Sequence, residues 1–223
     1  MEGLLTDAVA LITGSSSVTG GSVARRLAAE GAAVALVGLR RDRLDDLAST
    51  ICGAGGTALV VQADVTRRQE AVGAVERTVA QMGRLDIVVN NAGVVPPGSP
   101  GASTDDWHQM LALTMQGLIH VTHAALLHLV RAADDSPRGV ADLVNVSSGG
   151  SPSAVIAFSE VIRQEMLGQR VRVSVVESGV VESGVVGAES PGSARPEDIA
   201  DAVARIVTRG LEADRILKAP DDH

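Results

Sequence analysis

Glycine and small polar residues follow the first apolar run of the chain, in the segment "ALITGSSSVTGGS". A glycine-rich turn between a buried strand and a helix offers backbone N–H groups that can hold a pyrophosphate, and the start of the helix attracts negative charge. An ordinary strand-to-helix turn is the alternative interpretation, because such a turn alone is a weak motif. The turn therefore suggests a phosphate site that needs support from the rest of the chain.

Three further polar clusters also come where apolar runs end. They are "ADV" at 63–65, "NNAG" at 90–93 and "NVSS" at 145–148. The runs before them are apolar on both faces, as is typical of parallel strands covered by helices. The carboxyl ends of parallel strands meet at one edge of the sheet, where open α/β folds bind ligands. We therefore expect the four clusters to lie close together.

Short β-branched runs alternate with helical patterns along the whole chain, which predicts βαβ units. The sequence predicts an α/β fold: one Rossmann-like domain over 1–223, with a doubly wound parallel sheet of about seven strands and helices on both faces. Strands are predicted at 8–13, 33–38, 57–62, 85–91, 140–147, 170–177 and 214–219, and helices at 18–31, 42–52, 67–83, 104–132, 153–167 and 196–210.

Composition excludes several classes of partner. The net charge of −8 argues against nucleic acid or an anionic membrane surface, since both require a basic patch. Cys52 is the only cysteine, so no internal disulfide or cysteine-based metal site is expected. The apolar stretch 109–130 contains three histidines and predicts a buried or interface helix rather than a membrane span. The N-terminus has no signal-peptide pattern, so we expect a cytoplasmic protein.

The ordered set "TGxxxxxG", "ADV", "NNAG" and "NVSS" resembles the short-chain dehydrogenase/reductase family over nearly the whole chain. The resemblance implies an NAD(P)-dependent oxidoreductase that acts on the carbonyl or secondary alcohol of a small-molecule substrate. It also implies a homodimer or homotetramer formed through the helices at 104–132 and 153–167. It implies that a nicotinamide dinucleotide is bound by Gly14, Ser15, Ser17, Val18, Thr19, Gly20, Asp64, Val65, Asn91, Ala92 and Gly93.

Two residues of this cofactor site bear on the affinity and choice of dinucleotide. The second predicted strand ends in "VGLRR", which lacks the acidic residue that would bind the 2′-hydroxyl of NAD. Arg40, or its neighbour Arg41, can pair with a 2′-phosphate, which favours NADP(H) over NAD(H). Val18 stands where the family has a glycine that lets the dinucleotide approach the backbone, so the resemblance predicts weakened binding.

The residues expected to do the chemistry are the point where this chain departs from the family. The family uses a tyrosine as proton donor, a lysine four residues later, and a serine that orients the substrate. Ser148 fits the place of the serine, and Thr114 stands at the position of a family asparagine that supports a proton relay. The chain contains no tyrosine, and its only lysine is Lys218.

Two segments are shorter than the family pattern by roughly a dozen residues each. One lies near 149–152, before the helix at 153–167. The other is the substrate-lid region at about 178–195, in which the stretch 182–195 is too short for the lid of the family. Either the protein itself lacks these residues or the recorded sequence does. An intact mass of 22.8 kDa would support the first case.

Three functional interpretations stay open. The first is a reductase, and the second is a catalytically silent dinucleotide-binding or scaffold protein. The third is a non-redox enzyme on the same fold. His120 or His123 could supply a replacement acid. Because His120, His123 and His128 are spaced for more than one helix face, however, buried or interface histidines are the commoner case.

Overall fold

A seven-stranded parallel sheet forms the centre of the computed structural model, with the strand order β3-β2-β1-β4-β5-β6-β7. The structure describes residues 3–91, 93, 103–147, 152–177, 194–209 and 217–218. The strands are β1 (Val9–Thr13), β2 (Ala33–Gly38), β3 (Ala58–Gln62), β4 (Ile87–Asn90), β5 (Ala141–Ser147), β6 (Val171–Glu177) and β7 (Leu217–Lys218). The helices are α1 (Val18–Ala29), α2 (Arg41–Gly53), α3 (Arg68–Met82), α4 (Thr104–Asp135), α5 (Pro152–Glu165) and α6 (Pro196–Thr208).

Both faces of the sheet are covered by helices, as the apolar strands predict. Successive strand residues point to opposite faces, so one strand contributes to two cores. In β1, for example, Ile12 packs with α1, α2 and α6, whereas Leu11 packs with α3, α4 and α5. The predicted doubly wound architecture is therefore confirmed.

The ends of the elements follow local signals in the sequence. Gly31 has a φ of +98° directly after α1, a conformation that only glycine adopts freely, and it ends the helix at the predicted place. A capping box between Ser103 and Asp106 begins α4, because each side chain accepts a backbone N–H of the other. The last predicted strand, 214–219, lies partly outside the described residues, of which only 217–218 are strand.

Ion pairs are concentrated at the edge of the sheet where the strands begin, which we call the amino edge. Asp142, at the start of β5, is fully buried and contacts two guanidinium groups, at 2.7 Å from Arg172 and 2.6 Å from Arg138. The same two arginines donate to the carbonyl oxygens of Val207 and Arg209 at the end of α6, at 2.5 and 2.8 Å. This cluster attaches the end of α6 to the sheet.

Within the part of the chain that the structure describes, no helix is both long and apolar enough to cross a membrane. The long helix α4 instead packs on the sheet through Val121, Ala125 and Leu129, all three fully buried. The prediction of a buried or interface helix in this region is confirmed for that face.

Candidate cofactor and active site

The carboxyl ends of β1 and β4 mark the point where the strand order reverses. β1 pairs with β2 on one side and with β4 on the other. The connections from β1 and β4 consequently run in opposite directions, which leaves a crevice between them. The glycine-rich turn after β1 and the "NNAG" segment after β4 both lie at this crevice, where the sequence predicts that they meet.

The turn after β1 is held by its own hydrogen bonds. Gly14 has a φ of +66°, in the left-handed region that favours glycine. The Ser15 N–H donates to Val37 of β2 at 3.0 Å, and its hydroxyl donates to Ile12 at 2.8 Å. Ser15 is also almost completely buried, so its side chain fixes the shape of the turn rather than facing the crevice.

Gly20 sits where α1 comes closest to the turn. A Cβ atom at this position would lie 2.4 Å from the Gly14 carbonyl oxygen and 2.8 Å from Nδ2 of Asn91. Real Cβ atoms do not approach other heavy atoms so closely, so any larger residue would push α1 away from the turn. Glycine at this position is a requirement of close packing between helix and strand.

The start of α1 leaves backbone donors available at the crevice. The N-cap residue Ser17 accepts the N–H of Gly20 at 3.1 Å, and its carbonyl accepts that of Gly21 at 3.0 Å. Within the described residues, the N–H groups of Val18 and Thr19 have no such partner. They are the donors that a phosphate group could bind. Val18 is the first helical residue and its side chain is 68% exposed.

Two adjacent arginines after β2 have different partners. The Arg40 guanidinium donates to the backbone carbonyl of Ser16 and so crosses from β2 to the glycine-rich turn. Arg41 instead pairs with Asp45 one turn along α2, with Nε to Oδ2 at 2.9 Å. Of the two candidates that the sequence left open, only Arg40 contacts the turn.

Asp64 and Val65 follow β3 and form the next part of the crevice edge. Asp64 accepts hydrogen bonds from the Thr66 hydroxyl at 2.6 Å and the Thr66 N–H at 3.0 Å. The Thr66 hydroxyl is the main cause that lowers the pKa of the Asp64 carboxyl below its ordinary value. Val65 is almost completely buried, and its carbonyl oxygen lies 3.3 Å from Nδ1 of His120.

Asn91, after β4, connects the "NNAG" segment to β1. Its N–H donates to the Thr13 hydroxyl at 3.0 Å, and its Nδ2 lies 3.2 Å from the Thr13 carbonyl oxygen and 3.5 Å from the Ser17 hydroxyl. Gly93 is exposed, and Ala92 lies outside the described residues. The predicted meeting of the first and fourth strand ends is thus present in the structure.

A buried polar network below the crevice was not predicted from the sequence. Nδ2 of Asn90 donates to Asn145 at 2.9 Å and to Thr122 at 3.1 Å, and Nδ2 of Asn145 donates to Ser159 at 2.8 Å. All four side chains are buried. Thr122 and Ser159 interrupt the apolar faces of α4 and α5, and this is the signal that could have identified them.

Of the two predicted catalytic residues, the structure describes Thr114 but not Ser148. Ser148 lies outside the described residues, directly after Ser147, the buried last residue of β5. Thr114 is half-buried on α4. Lys218 lies in β7, in register with Glu177 of β6 and therefore two strands away from β5. The only lysine of the chain is thus not on the helix that follows the serine pair.

Three histidines of α4, His120, His123 and His128, lie on the side of that helix that faces α3 and the end of β3. His120 contacts the Val65 carbonyl, and His128 contacts Glu76 of α3 at 3.1 Å. His123 is exposed and lies near Arg68 at the start of α3. These contacts do not favour a role as replacement acid at the end of β5.

Comparison with known proteins gives a family match over most of the chain. Residues 8–193 match the sequence profile of the short chain dehydrogenases. An uncharacterized oxidoreductase of Methylorubrum extorquens is 32% identical over 204 residues, with 88% of this chain and 82% of that protein covered. Another relative, a granaticin polyketide synthase protein of Streptomyces violaceoruber, is 34% identical, with 94% of this chain and 93% of that protein covered.

The Streptomyces match extends over 242 positions, which exceeds the 223 residues of this chain. That relative therefore has residues without a counterpart here.

Solved structures share the fold. A short chain dehydrogenase from Burkholderia cenocepacia in complex with NADP has a TM-score of 0.84 and 25% identity, with 97% of this chain and 98% of that chain covered. A metagenomic short-chain oxidoreductase in complex with NADP has a TM-score of 0.79 and 24% identity, with 97% and 99% covered. The arrangement of strands and helices is therefore that of this fold family.

Proposed function

Because this chain belongs to the short-chain dehydrogenase family, we propose that it binds NADP(H) at the carboxyl edge of the sheet and acts on a carbonyl or secondary alcohol. By family it is an NAD(P)-dependent oxidoreductase. When bound, the cofactor supplies or accepts the hydride. The observation that carries the proposal is the contact of Arg40 with the glycine-rich turn, next to the free N–H groups at the start of α1.

The residues present suit a pyrophosphate at this turn. The positive φ of Gly14 and the lack of space for a Cβ at Gly20 are what a turn needs to bring backbone N–H groups close to a ligand. The N–H groups of Val18 and Thr19 would bind the phosphates, with the helix dipole adding to the attraction. Asp64 and Val65 would flank the adenine, and Asn91 would lie near the nicotinamide ribose.

The preference for NADP(H) rests on Arg40. A 2′-phosphate carries negative charge, and a guanidinium binds it with charge-assisted hydrogen bonds. Arg41 is already paired with Asp45, so Arg40 is the residue we assign to this role. The Burkholderia relative was solved in complex with NADP, which supports a nicotinamide dinucleotide at this edge, while the choice of NADP(H) rests on Arg40.

Val18 limits the affinity in this proposal. Its exposed, β-branched side chain lies at the start of α1, on the side from which a phosphate must approach. We expect Val18→Gly to tighten NADPH binding several-fold in a calorimetric titration. A submicromolar dissociation constant for the unsubstituted protein would contradict the idea that Val18 weakens binding.

The chain's own residues position the substrate but provide no tyrosine to donate the proton. Ser148 would orient the carbonyl, and the buried network of Asn90 and Asn145 holds the ends of β4 and β5 in place. General acid catalysis contributes about 10²–10⁴-fold to rate. A typical enzyme has a kcat of about 10 s⁻¹. Without a general acid we therefore expect turnover of about 0.001–0.1 s⁻¹, with water as the source of the proton.

The test is NADPH oxidation with a panel of ketones and aldehydes, followed for hours and compared with a reaction lacking protein. Turnover in the expected slow range, reduced by Ser148→Ala, would support the proposal. Intact mass is measured on the same sample, and 22.8 kDa is expected. A mass larger by a few kDa would instead indicate a chain with the tyrosine and lysine segment of an ordinary reductase.

A second candidate is a dinucleotide-binding protein without redox turnover. The observation that favours it is the absence of tyrosine from the sequence, together with a single lysine in β7. NADPH binding with oxidation no faster than in the protein-free control would support this candidate. Such a result would contradict the reductase proposal but leave the cofactor site intact.

Self-association through α4 and α5 is a further part of the proposal. Leu127 on α4 and Val161 on α5 are large apolar residues with exposed fractions of 69% and 55%. Exposed apolar residues on neighbouring helices are typical of interfaces between copies of a chain. Light scattering after size-exclusion chromatography is expected to give a dimer or tetramer, and a monomer at 50 µM, about the usual working concentration, would contradict it.

A further inference from the structure

A pocket of about 170 Å³ lies between α3 and α4, outside the crevice described above. Arg68 and Val72 of α3 form one wall, and Ile119, His120 and His123 of α4 form the other. Since a water molecule occupies about 30 Å³ in the liquid, the pocket can hold a ligand of several heavy atoms. None of these five residues belongs to the proposed cofactor site or contacts the substrate in the proposed function.

The side chains that line the pocket favour an anion. Arg68 is a cation, the imidazole of His123 can donate a hydrogen bond, and no acidic residue is among the lining residues. Within the described part of the chain, Arg68 and His123 take part in no hydrogen bond or ion pair of their side chains. By contrast, the adjacent Arg67 lies 3.5 Å from Asp64 and 3.7 Å from Glu70. The pocket therefore contains positive charge that the protein leaves uncompensated.

The His120 ring is held in place at the pocket. Its Nδ1 lies 3.3 Å from the Val65 carbonyl oxygen, which can only accept a hydrogen bond. His120 therefore forms a fixed part of the pocket wall, and its ring signals can report on a bound ligand.

The remaining lining is aliphatic. Val72 and Ile119 cover part of the pocket, and Ile119 is 42% exposed although it is a large apolar residue. A ligand that satisfies the pocket needs an anionic head for Arg68 and His123 and a short apolar body for the aliphatic side chains. We propose that the pocket binds a short-chain aliphatic carboxylate.

The experiment uses sodium butyrate as probe and the full chain saturated with NADPH, against sodium chloride at equal ionic strength. The ¹³C-labelled histidine Cε1 signals are followed by NMR and assigned with single His→Gln variants. The signals of His120 and His123 are expected to shift with a dissociation constant on the order of 1 mM, while those of His108, His128 and His223 stay in place. Arg68→Gln is expected to weaken binding about tenfold, because a charge-assisted hydrogen bond is lost.

Arg77→Gln is the matched control, since Arg77, like Arg68, is an exposed arginine on α3, and it does not line the pocket. It should leave butyrate binding unchanged, and butylammonium, a cation of similar size, should not bind. Equal affinity in Arg68→Gln and the unsubstituted chain would overturn the proposal. It would also be overturned if the His120 and His123 signals shifted on raising the protein concentration without butyrate, because a carboxylate of a second copy would then fill the pocket. Repeating the titration without NADPH keeps the result independent of cofactor binding.

Discussion

The two edges of the sheet use their polar residues in different ways. At the amino edge, charged side chains are buried and paired with each other, as in the cluster of Asp142 with Arg138 and Arg172. At the carboxyl edge the polar groups are mostly neutral hydroxyls, amides and backbone N–H groups around the crevice. Buried charges that depend on one another are costly to separate, whereas donors left without a partner are available to a ligand.

Substitution of Asp142 is expected to have the largest effect. Asp142→Ala leaves two buried guanidinium groups without their carboxylate, and loss of one partner of a buried ion pair costs about 3–5 kcal/mol. We expect this loss in the free energy of unfolding from urea denaturation. Asp134→Ala is the control, because the Asp134–Arg170 pair is exposed and such pairs contribute about 0–1 kcal/mol. Equal losses in the two variants would mean that the amino edge has no special role in stability.

Gly20→Ala tests the carboxyl edge by adding one methyl group. The new Cβ would lie 2.4 Å from the Gly14 carbonyl oxygen, so α1 or the turn must move. Forced overpacking costs about 1–3 kcal/mol in the free energy of unfolding. Because the displaced turn no longer presents its N–H groups correctly, we expect NADPH affinity to fall about tenfold, as for one lost charge-assisted hydrogen bond. Gly73→Ala is the control: no atom lies within 4 Å of its Cβ position on α3. If both variants bound NADPH with the affinity of the unsubstituted protein, the turn would not be the phosphate site.

Arg40→Gln tests the choice of dinucleotide. Loss of a charge-assisted contact is expected to weaken NADPH binding about tenfold and to leave NADH binding unchanged, as measured by calorimetric titration. Arg41→Gln, at the adjacent position, should change neither affinity, because its guanidinium pairs with Asp45. The assignment of Arg40 fails if NADPH and NADH affinities fall by the same factor.

The smallest effect is expected from Thr66→Val. The Thr66 hydroxyl lowers the pKa of the Asp64 carboxyl, so this substitution should raise that pKa toward its ordinary value. A lowered carboxyl pKa stabilises the folded state above the pKa of the unfolded chain, and this stabilisation is lost as pH falls through the folded pKa. In the variant this loss should be smaller and should be complete at a higher pH, with less than about 1 kcal/mol removed at neutral pH.

The measurement for Thr66→Val is a pH titration of the Asp64 Cγ signal by NMR. Thr50→Val is the control, since the Thr50 hydroxyl donates to the Asp46 carbonyl oxygen on α2. An unchanged Asp64 titration in Thr66→Val would show that the backbone N–H of Thr66 alone maintains the lowered pKa.

Much of the carboxyl edge could be predicted from the sequence because its residues follow strands directly. The segments containing Gly14, Asp64 and Asn91 were expected at one edge, since parallel strands place their carboxyl ends together. The structure confirms that the first and fourth strand ends meet. What the sequence could not decide was the choice between Arg40 and Arg41, because side-chain partners depend on the exact course of the turn.

Contacts between distant elements were not predictable in this way. Asp142 and Arg172, for example, are 30 residues apart. Asn145 of β5 contacts Ser159 only because α5 is rotated about its axis so that Ser159 faces the sheet. Hydrophobic periodicity identifies the buried face of a helix but does not fix which polar residue on it meets a given strand. The pairs at the amino edge were missed for the same reason.

The hydrogen bonds of Asn90 with Asn145 have a consequence for folding. Parallel strands composed of valine and leucine could pair in several registers at similar cost, because shifted apolar side chains remain among apolar neighbours. A shift of β4 along β5 would separate the two amides and leave buried polar groups without partners, which costs about 1–3 kcal/mol for each group. The network thus penalises wrong strand alignments and helps to select one native pairing in the middle of an otherwise uniform sheet.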